Sequence, residues 1–373
     1  YFGQYAFAYN YYLKDVDIGG GVYSITKYAF AHDYELAALN LPANILQIEE
    51  WAFAYAGVQT INFSADGNLM QIGDYAFYLN DVRSLNVPSS LISIGGAAFM
   101  NNFGLSSVTF GAGSNLQYIG GDAFGYVYAL TEISLPSSLL QIGDYAFRST
   151  SLTGTVIIPA NVEHIGFGVF AYCHNLTYIE VDDANLHYAD VSGVAYTRNL
   201  DTLVMYSVGN EAVEYAIPEG TLVINEAAFN GAYSLYDISL PQSLTNIEAY
   251  AFCDVPNIAN IDIPDNVVQI SNYAFAYDYN LRYINFTEQS KLPRISYAAF
   301  AYTGIGSFRV PASVTTMAQY AFEGCDNLTS VTFATGSGLG SISAYMFIGC
   351  DNLREIIFED GSVLTSIQAH GLE

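Results

Sequence analysis

Apolar and polar positions alternate along this chain in one order that repeats from end to end. The stretch Leu235–Phe252 reads LYDISLPQSLTNIEAYAF, or L-x-x-I-x-L-P-x-S-L-x-x-I-x-x-Y-A-F. Alternation at Ile238 and Leu240 is the period-two signal of a strand with one buried face. Pro241 follows and, lacking an N–H donor, ends that strand. A second apolar pair, Leu244 and Ile247, then leads into Tyr-Ala-Phe. Ala-Phe or a near equivalent falls at Phe7, Phe30, Phe53, Phe77, Phe99, Phe124, Phe147, Phe170, Phe229, Phe252, Phe275, Phe300, Phe322 and Phe347. Spacings run from 22 to 25 residues, with one gap of 59 between Phe170 and Phe229.

Two kinds of turn close the first strand. One is proline-based, at Pro42, Pro88, Pro136, Pro159, Pro218, Pro241, Pro264 and Pro311. The other replaces proline with Phe and a small polar loop, as in Phe63-SADGNL and Phe110-GAGSNL. Ile-Gly pairs at Gly73, Gly95, Gly120, Gly143 and Gly166 are expected where the backbone turns sharply. A unit of about 23 residues with two short strands cannot bury its own apolar side, so units must stack into a solenoid. The expected fold is therefore a β-rich, right-handed solenoid of about 15 coils, with short strands, short turns and 3-10 segments. At about 4.8 Å per coil it forms a rod roughly 70 Å long. One array is expected over 1–373, regular over 1–181 and 228–373. Residues 182–227 form an irregular unit with extra strand hairpins.

The consensus L-x-x-I-x-I-P-x-S-L-x-x-I-G-x-Y-A-F-x-x-C resembles the BspA-like class of leucine-rich repeats over essentially the whole chain. The irregular unit, with its Gly193-Val194-x-Tyr196 and Leu203-x-x-Tyr206 pieces, resembles the longer unit such arrays contain. The resemblance implies a surface or secreted protein, and an adhesin or receptor-like module that binds host protein or glycan.

Composition removes several other functions. The chain has 373 residues, 52% hydrophobic and 12% charged, enough for a large core. Ten Lys and Arg against 36 Asp and Glu give a net charge of −26, which excludes nucleic acid as a partner because phosphates need cationic neutralisation. No run of 18 apolar residues exists, so membrane insertion is not expected. The five histidines show no ligand spacing, and no P-loop, H-E-x-x-H, G-x-S-x-G or EF-hand pattern is present. No enzyme activity, metal or cofactor is expected. The chain starts at Tyr1 without a signal-peptide pattern, as a processed or excised piece would.

Candidate chemistry lies in three rows. Tyrosines two before or two after Phe, among them Tyr250, Tyr273, Tyr277, Tyr302, Tyr320 and Tyr345, form aromatic ladders. These either stiffen coil against coil or serve as an adhesive strip for proteins, glycans or a second rod. Asn175 and Asn327, in N-x-T sequons, and Asn62 and Asn285, in sequons on expected strands, are glycosylation candidates. Asn175, Asn257, Asn280, Asn327 and Asn352 also suit a hydrogen-bonded turn ladder. Cys173, Cys325 and Cys350 share one inward row, as small buried hydrophobes or, for Cys325 and Cys350 in neighbouring coils, as a disulfide. Outward strand residues are mostly small and polar, with Tyr178, Glu180, Tyr283 and Arg309 the larger exceptions. Neither end carries the polar capping repeat a soluble solenoid needs. The sequence therefore predicts an extracellular structural protein that self-associates head to tail or laterally, as a filament. The alternative is a cell-surface adhesin whose partner is another surface protein or a glycan.

Overall fold

The two apolar rhythms fold into two rows of parallel strands. A computed structural model describes Phe2–Leu372 as a parallel β-solenoid of about 15 turns with a period near 23 residues, and no helix occurs among the described residues. Two compact units are present, Tyr1–Ala195 and Tyr196–Glu373, and their boundary falls inside the irregular segment.

In the first unit the L-x-x-L-x-L strands Ala38–Leu41, Thr60–Phe63, Ser84–Val87 and Ser107–Phe110 form one parallel sheet. The two-residue strands Ser24–Ile25, Gln47–Ile48, Gln71–Ile72, Ser93–Ile94, Tyr118–Ile119, Gln141–Ile142 and His164–Ile165 form a second. Register places like on like, Ile48 beside Ile72 and Ile72 beside Ile94. The second unit has its corresponding two-residue strands, Val223–Ile224, Asn246–Ile247, Gln269–Ile270, Arg294–Ile295 and Thr316–Met317, in a separate sheet. Its first row is broken into short pieces, Asn260–Asp262 with Tyr283–Asn285, then Ser307–Val310 with Ser330–Phe333 and Glu355–Phe358.

Between the rows lies the Ala-Phe segment, built of consecutive turns. The amides of Phe30, Phe53, Phe77, Phe99 and Phe124 each donate to the carbonyl of the alanine that precedes the next Phe, at 2.8 Å. That bond fixes the spacing of coils, and it is kept at 3.0 Å where Val169 and Met346 stand in place of the alanine. Inside, the rings of Phe30, Phe53, Phe77, Phe99, Phe124, Phe147 and Phe170 stack with centroids 5.1–5.7 Å apart. In the second unit Tyr206, 23 residues before Phe229, occupies the Phe slot and stacks on Phe229 at 5.0 Å. The 59-residue gap therefore hides a tyrosine in the place of the expected phenylalanine.

The irregular segment contains strands Tyr188–Val191 and Val194–Thr197, joined through Ser192 and Gly193 at φ 53° and 82°. Positive φ at both residues is the demand of a type I′ hairpin turn.

Two expectations about backbone change. Left-handed backbone falls on the aromatic positions. Tyr5, Tyr28, Trp51, Tyr75, Tyr145, Tyr250, Tyr273, Tyr320 and Tyr345 have φ of 55–62°, and Tyr9, His32, Tyr55, Tyr126, Tyr172, Tyr277 and Tyr302 have φ of 57–66°. This conformation costs about 1–2 kcal/mol for an L residue, and stacking between neighbouring coils offsets it by about 0.5–1.5 kcal/mol per pair. Gly168 and Gly324 stand at the same two positions, also with positive φ. The Ile-Gly glycines have no positive φ. They are required because coils touch there: a Cβ on Gly120 would lie 2.5 Å from the Gly96 nitrogen and 2.6 Å from the Gly95 carbonyl carbon. Gly120→Ala is expected to destabilise by about 1–3 kcal/mol through overpacking. Gly96→Ala, whose Cβ would meet its nearest atom at 3.5 Å, should be near neutral. Equal shifts of the two urea midpoints would contradict this account.

Candidate functional site

The six tyrosines of the expected strip divide between two ladders. Tyr250 stacks on Tyr273 at 5.0 Å, and Tyr320 stacks on Tyr345 at 5.4 Å. Tyr297 joins this ladder, edge-on to Tyr273 and tilted against Tyr320. On the other side of the Phe row, Tyr277 and Tyr302 stack at 5.1 Å. Tyr250, Tyr273, Tyr302 and Tyr320 are half-buried against Cys253, Ala276, Ala298 and Ala301. The Tyr302 hydroxyl donates to Glu323 at 2.8 Å, a bond that, with burial, raises its pKa to about 12. Much of each ring is therefore engaged in coil-to-coil stacking.

A more exposed aromatic row lies four residues after Phe, where the sequence pattern had drawn no attention. In the first unit Tyr11 stacks on Tyr34 at 5.6 Å, and Phe103 stacks on Tyr128 at 5.5 Å, all four rings being half exposed. Several coils pair this position edge-to-face with the one two residues earlier, as in Tyr9 with Tyr11, His32 with Tyr34 and Tyr126 with Tyr128, whereas the coils of Phe53, Phe77 and Phe147 carry Gly57, Asp81 and Ser151 there. In the second unit Tyr277 and Tyr279 repeat the pairing, and Tyr279 is 59% exposed. The result is an aromatic edge two rings wide. Its sequence signal was the Y-x-Y or H-x-Y after Ala-Phe.

The remaining candidates are placed unequally. Asn62 and Asn285 donate their amide hydrogens across the strand face to Asn40 and Asp262 at 2.9 and 2.8 Å. Asn257, Asn280 and Asn352 form the expected turn ladder, donating to the carbonyls of Tyr233, Pro256 and Asp326. Asn175 and Asn327 are exposed and their amides take no hydrogen bond among the described residues. These are the two sequons whose nitrogen is free to carry a glycan. All four cysteines are free and buried. Cys325 and Cys350 are not bridged, and their thiols donate instead to the carbonyls of Phe300 and Phe322.

Cys173, Cys325 and Cys350 share a further task with asparagines of the same row. The residue three after Phe donates to the Phe carbonyl of the preceding coil: Asn80 to Phe53, Asn102 to Phe77, Cys173 to Phe147, Cys325 to Phe300 and Cys350 to Phe322. Asp33 and Asp278 occupy this row as well, buried, each with Oδ2 unpartnered. Burial pushes Asp33 up to about 6 and holds Asp278 well above the ordinary carboxylate range.

Two recesses open on the strand face. One, of about 710 Å³, lies beside Tyr178 and is walled by Glu180, Asp182, Asp183 and Asp190. The other, of about 560 Å³, is lined by Arg282, Tyr283, Ser307, Asn327 and Thr329 over a floor of Gly304 and Gly306. Among the described residues no group of three or more His, Cys, Asp or Glu side chains is placed to hold a metal ion. No helix among them is long and apolar enough to cross a membrane.

The repeat geometry, two strand rows around a Phe stack with Ala before most of the Phe residues, matches a family model described as BspA type leucine rich repeat region over residues 1–114, 110–216, 210–329 and 293–372. The chain belongs to the BspA-type leucine-rich repeat family. Solved structures share the fold. A leucine-rich repeat protein from Eubacterium ventriosum is 21% identical, with TM-score 0.65 over 86% of this chain and 78% of its own. A leucine rich cell surface protein from Faecalibacterium prausnitzii is 23% identical, with TM-score 0.63 over 90% of each chain. The pneumococcal vaccine antigen PcpA is 20% identical, with TM-score 0.59 over 90% of this chain and 68% of its own. Among curated proteins none matches. At these identities the BspA-type likeness is one of fold.

Proposed function

We propose that this chain is a non-enzymatic repeat module displayed outside the cell, on a surface, where it adheres to a protein or glycan through its aromatic edge. The observation that carries the reading is the half-exposed row of rings four residues after Phe, stacked between neighbouring coils and packed edge-on or tilted against the rings two residues after Phe. Stacked rings are rigid, so little side-chain entropy is lost on contact, and Tyr is a residue of interface hot spots. The family, and the Faecalibacterium neighbour being a cell surface protein, support the location. The test is binding of the intact chain to arrays of extracellular-matrix proteins and glycans, with Tyr11, Tyr34, Phe103 and Tyr128 changed together to Ser as the comparison. Loss of a binding signal by at least tenfold with unchanged thermal stability is expected. Undiminished binding by the variant would remove the edge from the reading.

The second reading is self-association, favoured by the same edge because parallel ring ladders are self-complementary. Light scattering and electron microscopy of the ligand-free chain decide it, and monomers at micromolar concentration would sink it.

A further inference from the structure

The notch of about 560 Å³ in the second unit has a structural cause. The turn Tyr302-Thr303-Gly304-Ile305 reaches its first strand leucine site five residues after Phe300, whereas Leu281 and Leu328 come six after theirs. The shortened turn lacks the residue that would fill the gap, and Gly304 nests so tightly that a Cβ there would lie 2.2 Å from the Tyr279 carbonyl oxygen. At the same place the first-row sheet is interrupted. Tyr283–Asn285 ends one piece and Ser307–Val310 begins the next, bridged by a long bond from the Gly306 amide to the Arg282 carbonyl at 3.5 Å.

The groups around the notch are uncommitted. Arg282 makes no ion pair or side-chain hydrogen bond among the described residues, whereas Arg148 and Arg309 are paired to carboxylates. Tyr283 is 57% exposed and stacks on no neighbouring ring among the described residues. The Asn327 amide, whose counterparts Asn257, Asn280 and Asn352 bond the preceding coil, has no such bond, because the shortened coil does not reach it. Thr329 donates to the Gly306 carbonyl at 2.9 Å and keeps its oxygen lone pairs for a ligand. The charged side chains lining the larger recess beside Tyr178 are all carboxylates, so an anion would be repelled there and held here.

A planar guanidinium beside an open ring, an amide and two hydroxyls is the complement of a pyranose that bears a carboxylate. The guanidinium pairs with the carboxylate through two parallel bonds, the ring covers the apolar C–H face, and the amide and hydroxyls meet the sugar hydroxyls. We propose that this notch binds an acidic sugar, a uronic or sialic acid residue, at the end of a glycan. The site goes beyond the aromatic-edge reading, because none of its side chains belongs to that edge.

The test uses the full chain produced without glycosylation, so that Asn327 carries no covalent sugar. Titration calorimetry and saturation-transfer NMR compare glucuronic acid, N-acetylneuraminic acid, glucose and acetate. Binding of an acidic sugar in preference to glucose and acetate is expected. Arg282→Gln should weaken acidic-sugar binding at least tenfold. Gly306→Leu plugs the notch: a Cβ there meets only the Asn327 carbonyl, at 3.9 Å, so binding should vanish while the thermal midpoint stays. No binding of either acidic sugar, equal binding of acetate, or unchanged binding by Gly306→Leu would each overturn the proposal. None of these outcomes bears on the aromatic edge, whose variants are scored on the protein and glycan arrays.

Discussion

Phe124→Ala lowers the unfolding free energy by about 3–5 kcal/mol, the largest single-residue effect expected in this chain. Phe124 is wholly buried and lies between Phe99 and Phe147 at 5.6 and 5.4 Å. Removing the ring deletes two stacking contacts and leaves a hole between coils. The coils cannot close on that hole, because the bonds from Phe99 to Ala123 and from Phe124 to Ala146, both 2.8 Å, hold their spacing. Phe124→Leu keeps most of the volume and is expected to cost roughly 1–1.5 kcal/mol. Urea denaturation followed by far-UV circular dichroism measures both. A loss below about 1 kcal/mol for the alanine variant would mean that the stack is not the source of stability.

Asp278→Asn works in the opposite direction. Asp278 accepts the Val255 amide at 2.7 Å through Oδ1, and its Oδ2 is buried and bare. An asparagine at this position can donate from Nδ2 to the carbonyl of Phe252, which receives no hydrogen bond among the described residues, as Asn80 and Asn102 donate to Phe53 and Phe77. A satisfied buried group in place of a bare one is expected to stabilise by about 1–3 kcal/mol at pH 7.5. The pH dependence has a definite sign. Burial raises the folded pKa of Asp278 and Asp33 above the unfolded value near 3.9. The neutral acids therefore contribute stability that is fully present below about pH 4 and is lost as pH rises through their folded pKa, which for Asp33 is about 6. The Asp33→Asn and Asp278→Asn double variant should gain over the parent at neutral pH and converge with it near pH 4. A gain that stays constant from pH 4 to 7.5 would refute protonation as the cause.

The sequence displayed the stack because its information is periodic. Fourteen Phe positions, at spacings of 22 to 25 apart from the one gap of 59, leave one arrangement in which every ring but the partly exposed Phe7 is buried, and the strand rows follow from Leu and Ile alternation. The place of Tyr206 in the Phe row was not legible because the slot is marked by position, 23 residues before Phe229, and the residue type had changed. Left-handed backbone at Tyr250 and its equivalents was masked by tyrosine itself, which local preference places elsewhere; Gly168 and Gly324 were the clue. The ring at each Tyr site was legible, while its engagement in stacking depends on coil spacing. The notch at Gly304 was the least legible, since a one-residue shortening of a turn reads as ordinary variation in period. Arg282 and Tyr283 acquire meaning only once the adjacent turn is seen to be one residue short.

The four cysteines have a use that their burial creates. Cys173 lies in the first unit and Cys253, Cys325 and Cys350 in the second, each sealed beside a known Phe and none oxidised. A maleimide or aromatic disulfide added to the native protein can react only after the local coil has breathed open. Because a repeat array is held by contacts between neighbours, such openings are local, and each thiol times the excursions of its own neighbourhood. The unmodified chain thus carries its own set of gauges, read one sulfur at a time by mass spectrometry.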